Sequence, residues 1–423
     1  MEKKIYSKIS ETLFTEKLAN GLTVYLLPKP QFHKTFGLFT TNFGSLDVRF
    51  NEKTYPEGIA HFLEHKLFEK EDGDVMYKFG AMGAQTNAFT TFNRTAYLFS
   101  TAERIEENTE LLLDFVQQPY FTAENVAKEQ GIITQEIQMY QDDPDWRLFA
   151  GVLAAMYPDS PLADDIAGTP ASINEITAEM LYENHAAFYQ PGNMSLFLTG
   201  PFEAESMMAL IKENQAAKEF SADKLPERAA FTPSAAVALT EIKFDVVEPK
   251  LALGFRGEDV VTADSRYRYQ VAMQLFFAMI YGKTSSFYEK NYHSGMIDDS
   301  FNYEFENNGI FHFLIVSLDT ENPQALAWLL QDTLKNYKIG EDVSEAHLAL
   351  IKRQMLGAHY RSLNSLEFIA NEFAAMPTEA EQTIFDLPEI LKELTIADIT
   401  GFADAFISQM QMSEFIIRPN EAE

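Results

Sequence analysis

His61, Glu64 and His65 lie in the run Gly58-Ile59-Ala60-His61-Phe62-Leu63-Glu64-His65. Their order, His-x-x-Glu-His, is the inverted form of a zinc-protease signature. The spacing has a helical reason. Positions i and i+4 stand one turn apart on one face of a helix, so two imidazoles can reach a single ion. Glu64 borders that face. From there a carboxylate can take a proton from water on the ion and hand it to a leaving amine. Zinc lowers the pKa of such a water to about 7, so hydroxide is available at neutral pH. Two histidines are not a complete site, because a hydrolytic zinc has three protein ligands and one open position. The chain has no cysteine, so the third ligand is a His, Asp or Glu from elsewhere.

The candidate segment is Lys128-Glu129-Gln130-Gly131-Ile132-Ile133-Thr134-Gln135-Glu136-Ile137. Glu129 and Glu136 are seven residues apart and therefore share a helix face, two turns from each other. One can ligate zinc while the other orients a ligating histidine. The spacing leaves open which does which. An acid pair on a helix is ordinarily a solvated face, and this chain has 63 acids, so the pair gains meaning only from the histidines. His33, His185, His293, His312, His347 and His359 have no metal-like spacing and read as surface or satisfied core histidines.

These residues need elements to position them. Glu57–Lys70 reads as the helix that carries the histidine motif, and Arg104–Gln117 and Ala123–Gln141 as two further helices. Leu18 to Leu27 holds an Asn-Gly turn and reads as a hairpin. Phe36–Phe50 reads as a strand region broken by Gly44, and Ala84–Thr101 as two strands around Asn93-Arg94. In the second half Val237–Val247 and Lys250–Gly257 are strand-like, and Tyr267–Tyr281 is helical. Met296–Glu306 and Gly309–Leu318 form a hairpin pattern. Strands and helices mix without βαβ alternation, which favours an α+β fold.

A shift of 218 residues brings Thr177, Ala187, Phe188, Met194, Ser195, Phe197 and Pro201 onto Thr395, Ala405, Phe406, Met412, Ser413, Phe415 and Pro419, seven identities in 25 positions. The chain therefore reads as two copies of one unit. An N-terminal zinc-bearing domain is expected over 1–220, a linker over 221–233, and a C-terminal homologous domain without the motif over 234–423.

The 33 basic and 63 acidic residues leave a net charge of −30. Such a chain is a poor binder of phosphate backbones and of anionic membrane surfaces, so neither nucleic acid nor membrane is expected as a partner. Cationic peptides would be attracted. The N-terminal run carries no apolar stretch of signal-peptide length, and no segment reaches a membrane span, so a cytoplasmic location is expected.

The run Gly58–His65, followed 71 residues after His65 by Glu136, resembles the pitrilysin/insulinase family of zinc metallopeptidases. The likeness takes in Asn20-Gly21-Leu22-Thr23-Val24, Asn87-Ala88-Phe89-Thr90, the Glu129…Glu136 helix and the tandem halves. The resemblance implies zinc held by His61, His65 and Glu136, with Glu64 as general base and Glu129 as the carboxylate behind a ligand. It also implies two domains of the mitochondrial-processing-peptidase/pitrilysin type, each a mostly antiparallel sheet packed by helices. Four such units form a clamshell in the family, so a two-unit chain implies a dimer. Asn87, Ala88, Phe89 and Thr90 stand where family members present a sheet edge to an extended peptide substrate.

One departure bears on the partner. The family carries an Arg and a Tyr in the later half, where this chain has Tyr292 and Asp298 or Asp299. Carboxylates would repel a developing oxyanion, and loss of one oxyanion donor can cost about 10²–10³ in rate. The expected assembly is therefore a hetero-dimer with a zinc-less homologue that supplies the Arg/Tyr pair, a homodimer being the other arrangement. The runs Glu129–Ile133 and Met139–Arg147 are similar to the YmfH-type branch of the family in Gram-positive bacteria. That branch name is associated with 5-aminopentanol modification of elongation factor P, on which no residue here bears. The expected function is a zinc-dependent endopeptidase acting on unstructured peptides. The alternative is a non-hydrolytic scaffold of the same fold.

Overall fold

The computed structural model describes residues 1–220, 225–229, 232–376 and 382–420. The principal strands in chain order are β1 (Glu2–Tyr6), β2 (Glu11–Lys17), β3 (Thr23–Pro28), β4 (Thr35–Thr41), β5 (Gln85–Thr90), β6 (Thr95–Thr101), β7 (Met194–Gly200), β8 (Leu239–Phe244), β9 (Lys250–Arg256), β10 (Asn302–Asn307), β11 (His312–Asp319) and β12 (Gln411–Pro419). The helices that bear on the sheets and the site are α1 (Ile59–Leu67), α2 (Ala123–Gln141), α3 (Pro144–Met156), α4 (Ala178–Phe188), α5 (Arg266–Tyr281), α6 (Leu366–Ala375) and α7 (Ile396–Gln409).

The chain folds as two compact units, each an α+β layer of mostly antiparallel sheet and helices. In the first, a seven-stranded sheet runs β1-β2-β3-β7-β4-β6-β5, antiparallel throughout except for the parallel pair β3 and β7. Beside its central strand β7 lies β4, Thr-Phe-Gly-Leu-Phe-Thr-Thr, in which every residue is buried. Phe39 there lies opposite Leu196 of β7 and Tyr97 of β6. In the second unit a five-stranded sheet runs β8-β12-β9-β11-β10, again with one parallel pair, β8 and β12. The order β3-β7-β4-β6-β5 is thus repeated as β8-β12-β9-β11-β10. The repeat read at a shift of 218 residues falls on matching elements. Thr177 caps α4 ahead of β7, and Thr395 caps α7 ahead of β12. Each threonine accepts the N3 amide through its hydroxyl, which satisfies a donor the helix itself cannot.

Neither unit is a continuous half of the chain. The first holds Met1–Met139, Asp164–Phe231 and Leu363–Glu379, and the second holds Tyr140–Ala163, Thr232–Ser362 and Ala380–Glu423. The expected boundary at 221–233 is thus crossed by two single helices. In the second unit α3 packs on β9 and β12. Its face of Leu148, Val152, Leu153, Ala155 and Met156 is buried there. Glycine makes room: a Cβ at Gly254 of β9 would stand 2.5 Å from the sulfur of Met156. In the first unit α6 packs on β4 and β7, where the ring of Phe373 lies 4.8 Å from Tyr25 and 4.9 Å from Phe197. Of the expected linker, 221–224 and 230–231 lie outside the described residues. Between them Arg228 pairs with Asp47 at 2.6 Å in the first unit.

Several strand expectations were too long, Val237–Val247 among them, which gives β8 only over Leu239–Phe244. The region from Phe36 gives β4 only to Thr41, since Asp47 accepts the amide of Gly44 and turns the chain. Met296–Phe301 is not strand either. Asp298 accepts the amide of Ser300, and Gly295 sits at φ +71°, so a turn precedes β10. Among the described residues no helix is long and apolar enough to cross a membrane.

Candidate metal centre

α1 starts at Gly58, whose φ of +82° is a left-handed conformation open to glycine. A Cβ at that position would stand 2.4 Å from the carbonyl oxygen of Ala167, so the helix begins hard against that loop. Ile59, Phe62, Leu63 and Leu67 bury one side of α1 in the core of the first unit. His61, Glu64 and His65 occupy the remaining side, where α2 and β5 meet them.

α2 supplies both carboxylates, and tertiary structure assigns them different neighbours. Glu136 faces both histidines, with His61 Nε2 at 3.8 Å from Oε1 and His65 Nε2 at 3.6 Å from Oε2. Glu129 stands behind His65, whose Nδ1 lies 3.2 Å from Oε1. A carboxylate only accepts, so Nδ1 carries the hydrogen, and in the neutral ring it is Nε2 that turns a lone pair toward Glu136. His61, His65 and Glu136 offer ligand atoms within 4.8 Å of one another, the one such group of His, Asp or Glu among the described residues.

The donor set fits zinc. Ligand atoms about 2.0–2.2 Å from a tetrahedral ion stand about 3.3–3.6 Å from one another. The observed 3.6 and 3.8 Å are close to that and too long for hydrogen bonds between the groups themselves. Burial, together with the charge of His65, pushes His61 down to about 3, which leaves its ring neutral and able to ligate. Burial would raise Glu129, but the hydrogen bond from His65 and the charge of Lys66 hold it below the usual carboxylate range.

Glu64 accepts a hydrogen bond from Thr90 Oγ1 at 2.6 Å through Oε2. Burial pushes its carboxyl up to about 7, against the Thr90 hydrogen bond and the His65 charge, while the nearby Glu136 adds to the rise. A carboxyl that titrates near neutrality is suited to accept and return a proton. Behind it Tyr97 and Tyr189, both buried, share a hydrogen bond of 2.8 Å between hydroxyls.

All five motif residues expected from the sequence, His61, Glu64, His65, Glu129 and Glu136, converge here. Asn87, Ala88, Phe89 and Thr90 lie along β5, the edge strand of the first sheet, which among the described residues pairs with β6 alone. Within that run Thr90 has a second attachment, its bond to Glu64. Sequence reading missed Lys66 and Glu69. Lys66 is wholly buried, and its Nζ donates to Glu69 and to Glu129. The available signal was a single lysine inside an otherwise apolar or motif-bearing helix. Of the histidines set aside earlier, buried His185 donates to the Val116 carbonyl at 2.9 Å and buried His312 lies 2.7 Å from Asp259 Oδ1. The Nε2 of buried His359 has no hydrogen-bond partner among the described residues, so it is not a satisfied core histidine. In the second unit Tyr292 donates to Asp299 at 3.3 Å, and Asp298 accepts from Ser300.

Two family profiles match the chain. The one described as Insulinase (Peptidase family M16) covers residues 42–170, and the one described as Peptidase M16 inactive domain covers 175–355. A Bacillus subtilis protein described as the uncharacterized zinc protease YmfH is 42% identical over 403 residues, 93% of this chain and 94% of that one. Among solved structures, an M16-like peptidase from Alicyclobacillus acidocaldarius superposes with a TM-score of 0.90 at 33% identity, covering 97% of this chain and 99% of that one. A protease from Helicobacter pylori shares the fold, with a TM-score of 0.82 at 20% identity over 96% of this chain and 99% of that one.

Proposed function

Because the chain belongs to the insulinase (M16) family of peptidases, we propose that it is a zinc endopeptidase of unstructured peptides, with Glu64 as general base. One observation carries the reading: Glu64, hydrogen-bonded by Thr90, stands within one helical turn of His61 and His65, which converge with Glu136 of α2. Zinc held by those three residues would act as a Lewis acid and make water a nucleophile at neutral pH. Glu64 takes the proton from the attacking water and returns it to the leaving amine. With Oε2 occupied by Thr90, Oε1 is the oxygen left for that proton. Glu129 holds the tautomer of His65. An extended peptide adds along β5, so Asn87, Ala88, Phe89 and Thr90 orient the scissile bond with main-chain hydrogen bonds.

The chain acts in the cytoplasm as one half of a hetero-dimer, the partner being a zinc-less homologue that brings an Arg/Tyr pair. Tyr292, Asp298 and Asp299 at the corresponding place support this, since none can stabilise an oxyanion as an arginine does. The same observation favours a second reading, a metal-holding scaffold that cleaves nothing. Cleavage of a diverse peptide library by the chain with its co-purified partner separates the two. The expected result is cleavage that falls about 10³-fold in Glu64→Gln, within the range for a general base. Close to one zinc per chain should remain. No cleavage by the wild-type pair overturns the peptidase reading.

A further inference from the structure

Lys66 follows His65 in α1 and is 0% exposed. A buried ammonium is costly unless it is paired, and Lys66 is paired twice. Its Nζ donates to Glu69 Oε2 at 2.5 Å and to Glu129 Oε2 at 3.4 Å. Glu129 gives its other oxygen, Oε1, to His65 Nδ1 at 3.2 Å. One carboxylate therefore receives two successive residues of one helix, each on its own oxygen. The terminal torsion of a glutamate is soft, so a single contact leaves the carboxylate free to turn. The second contact removes that freedom.

We propose that Lys66 is a positioning residue for the metal centre: by holding Glu129 Oε2 it fixes Oε1 on His65 and aims His65 Nε2 at His61 and Glu136, which raises affinity for zinc. The proposal rests on the zinc reading above. Glu69 anchors the ammonium from the outer side, so the chain of contacts runs Glu69, Lys66, Glu129, His65.

Removing Lys66 has two effects of opposite sign. Lys66 is a cation beside a site for a cation, so Coulomb's law alone makes zinc bind more tightly without it. Positioning makes zinc bind more weakly, since losing a partner behind a ligand costs about 10–100-fold in metal affinity. The direction of the change therefore tests the proposal. A further signature separates it from a general packing role: removing a residue that acts through Glu129 causes no loss of affinity once Glu129 can no longer serve.

The experiment is zinc affinity of the full chain, measured by competition with a chelating dye, for wild type, Lys66→Met, Glu129→Gln and the double variant. Thermal unfolding of the metal-free proteins is recorded beside it. The expected result is zinc binding about tenfold weaker in Lys66→Met and no further loss when it is added to Glu129→Gln. Unchanged or tighter binding in Lys66→Met overturns the proposal, as does an equal loss on the Glu129→Gln background. Wild type without zinc affinity overturns the zinc reading, and the role of Lys66 with it; wild type that binds while Lys66→Met binds equally overturns the positioning role alone. Should metal-free Lys66→Met not fold, Glu69→Gln replaces it, since it keeps Lys66 and removes its outer anchor. That variant is expected to bind zinc about two- to fivefold more weakly, again with no effect beside Glu129→Gln. No loss, or a loss that survives Glu129→Gln, overturns the proposal.

Discussion

The two units build the same five-strand order and the same parallel pair, yet fill the interval before the edge strand with different chemistry. In the first, α1 packs against β5 and carries His61, Glu64, His65 and Lys66. In the second, α5 packs against β10 and reads Arg-Tyr-Arg-Tyr-Gln-Val-Ala-Met-Gln-Leu-Phe-Phe-Ala-Met-Ile-Tyr. Ten of its residues are buried, among them Phe276, Phe277 and Ile280. The difference teaches that the sheet is a platform indifferent to chemistry. A helix with apolar residues on nearly all sides becomes core. A helix with one apolar side and ionisable groups on the other becomes a site, provided a second helix supplies counter-groups. α2 does so with Glu129 and Glu136.

The comparison can be broken at its largest effect in the second unit. Phe276, fully buried, has its ring 4.9 Å from that of Tyr337. Phe276→Ala should cost about 3–5 kcal/mol in denaturant unfolding, as large core truncations do, while zinc per chain stays unchanged. A fall in zinc content would show that α5 is not mere core. A smaller effect is expected in the first unit. Thr90→Val removes the hydroxyl from Glu64 and should lower kcat about tenfold, in keeping with a hydrogen bond to a charged group. KM and zinc content should hold, and Thr90→Ser should restore the rate. A raised KM instead would place Thr90 on the substrate side alone. The smallest effect sharpens the likeness. Thr177→Ala and Thr395→Ala remove equivalent helix caps and should each cost about 1 kcal/mol. Unequal costs in thermal melts would mean that the repeated caps are no longer equivalent.

Legibility followed sequence distance. The pair His61 and His65 was visible because both residues lie on one helical turn, whose geometry is local. The α2 boundaries, Ala123 to Gln141, were readable for the same reason. The boundaries of the units were not. An amphipathic helix announces that one face is buried and says nothing of which sheet buries it. So no helical pattern could show that α3 belongs to the second unit and α6 to the first. A lysine such as Lys66 is by type a surface residue. Only the approach of Glu69 and Glu129 makes its burial tolerable.

The sequence by itself determined the donor types, the helical spacing of the two imidazoles, the carboxylate of Glu64 beside them and the duplicated α+β plan. These rest on local periodicity and on repetition, both properties of a linear string. Tertiary structure alone decided that Glu136 faces the Nε2 atoms while Glu129 stands behind His65, and that Thr90 holds Glu64. The spacing of seven places both acids on one face of α2, but their roles depend on how α2 lies across α1. That crossing is set by side-chain packing between residues some 64 to 75 positions apart in the chain.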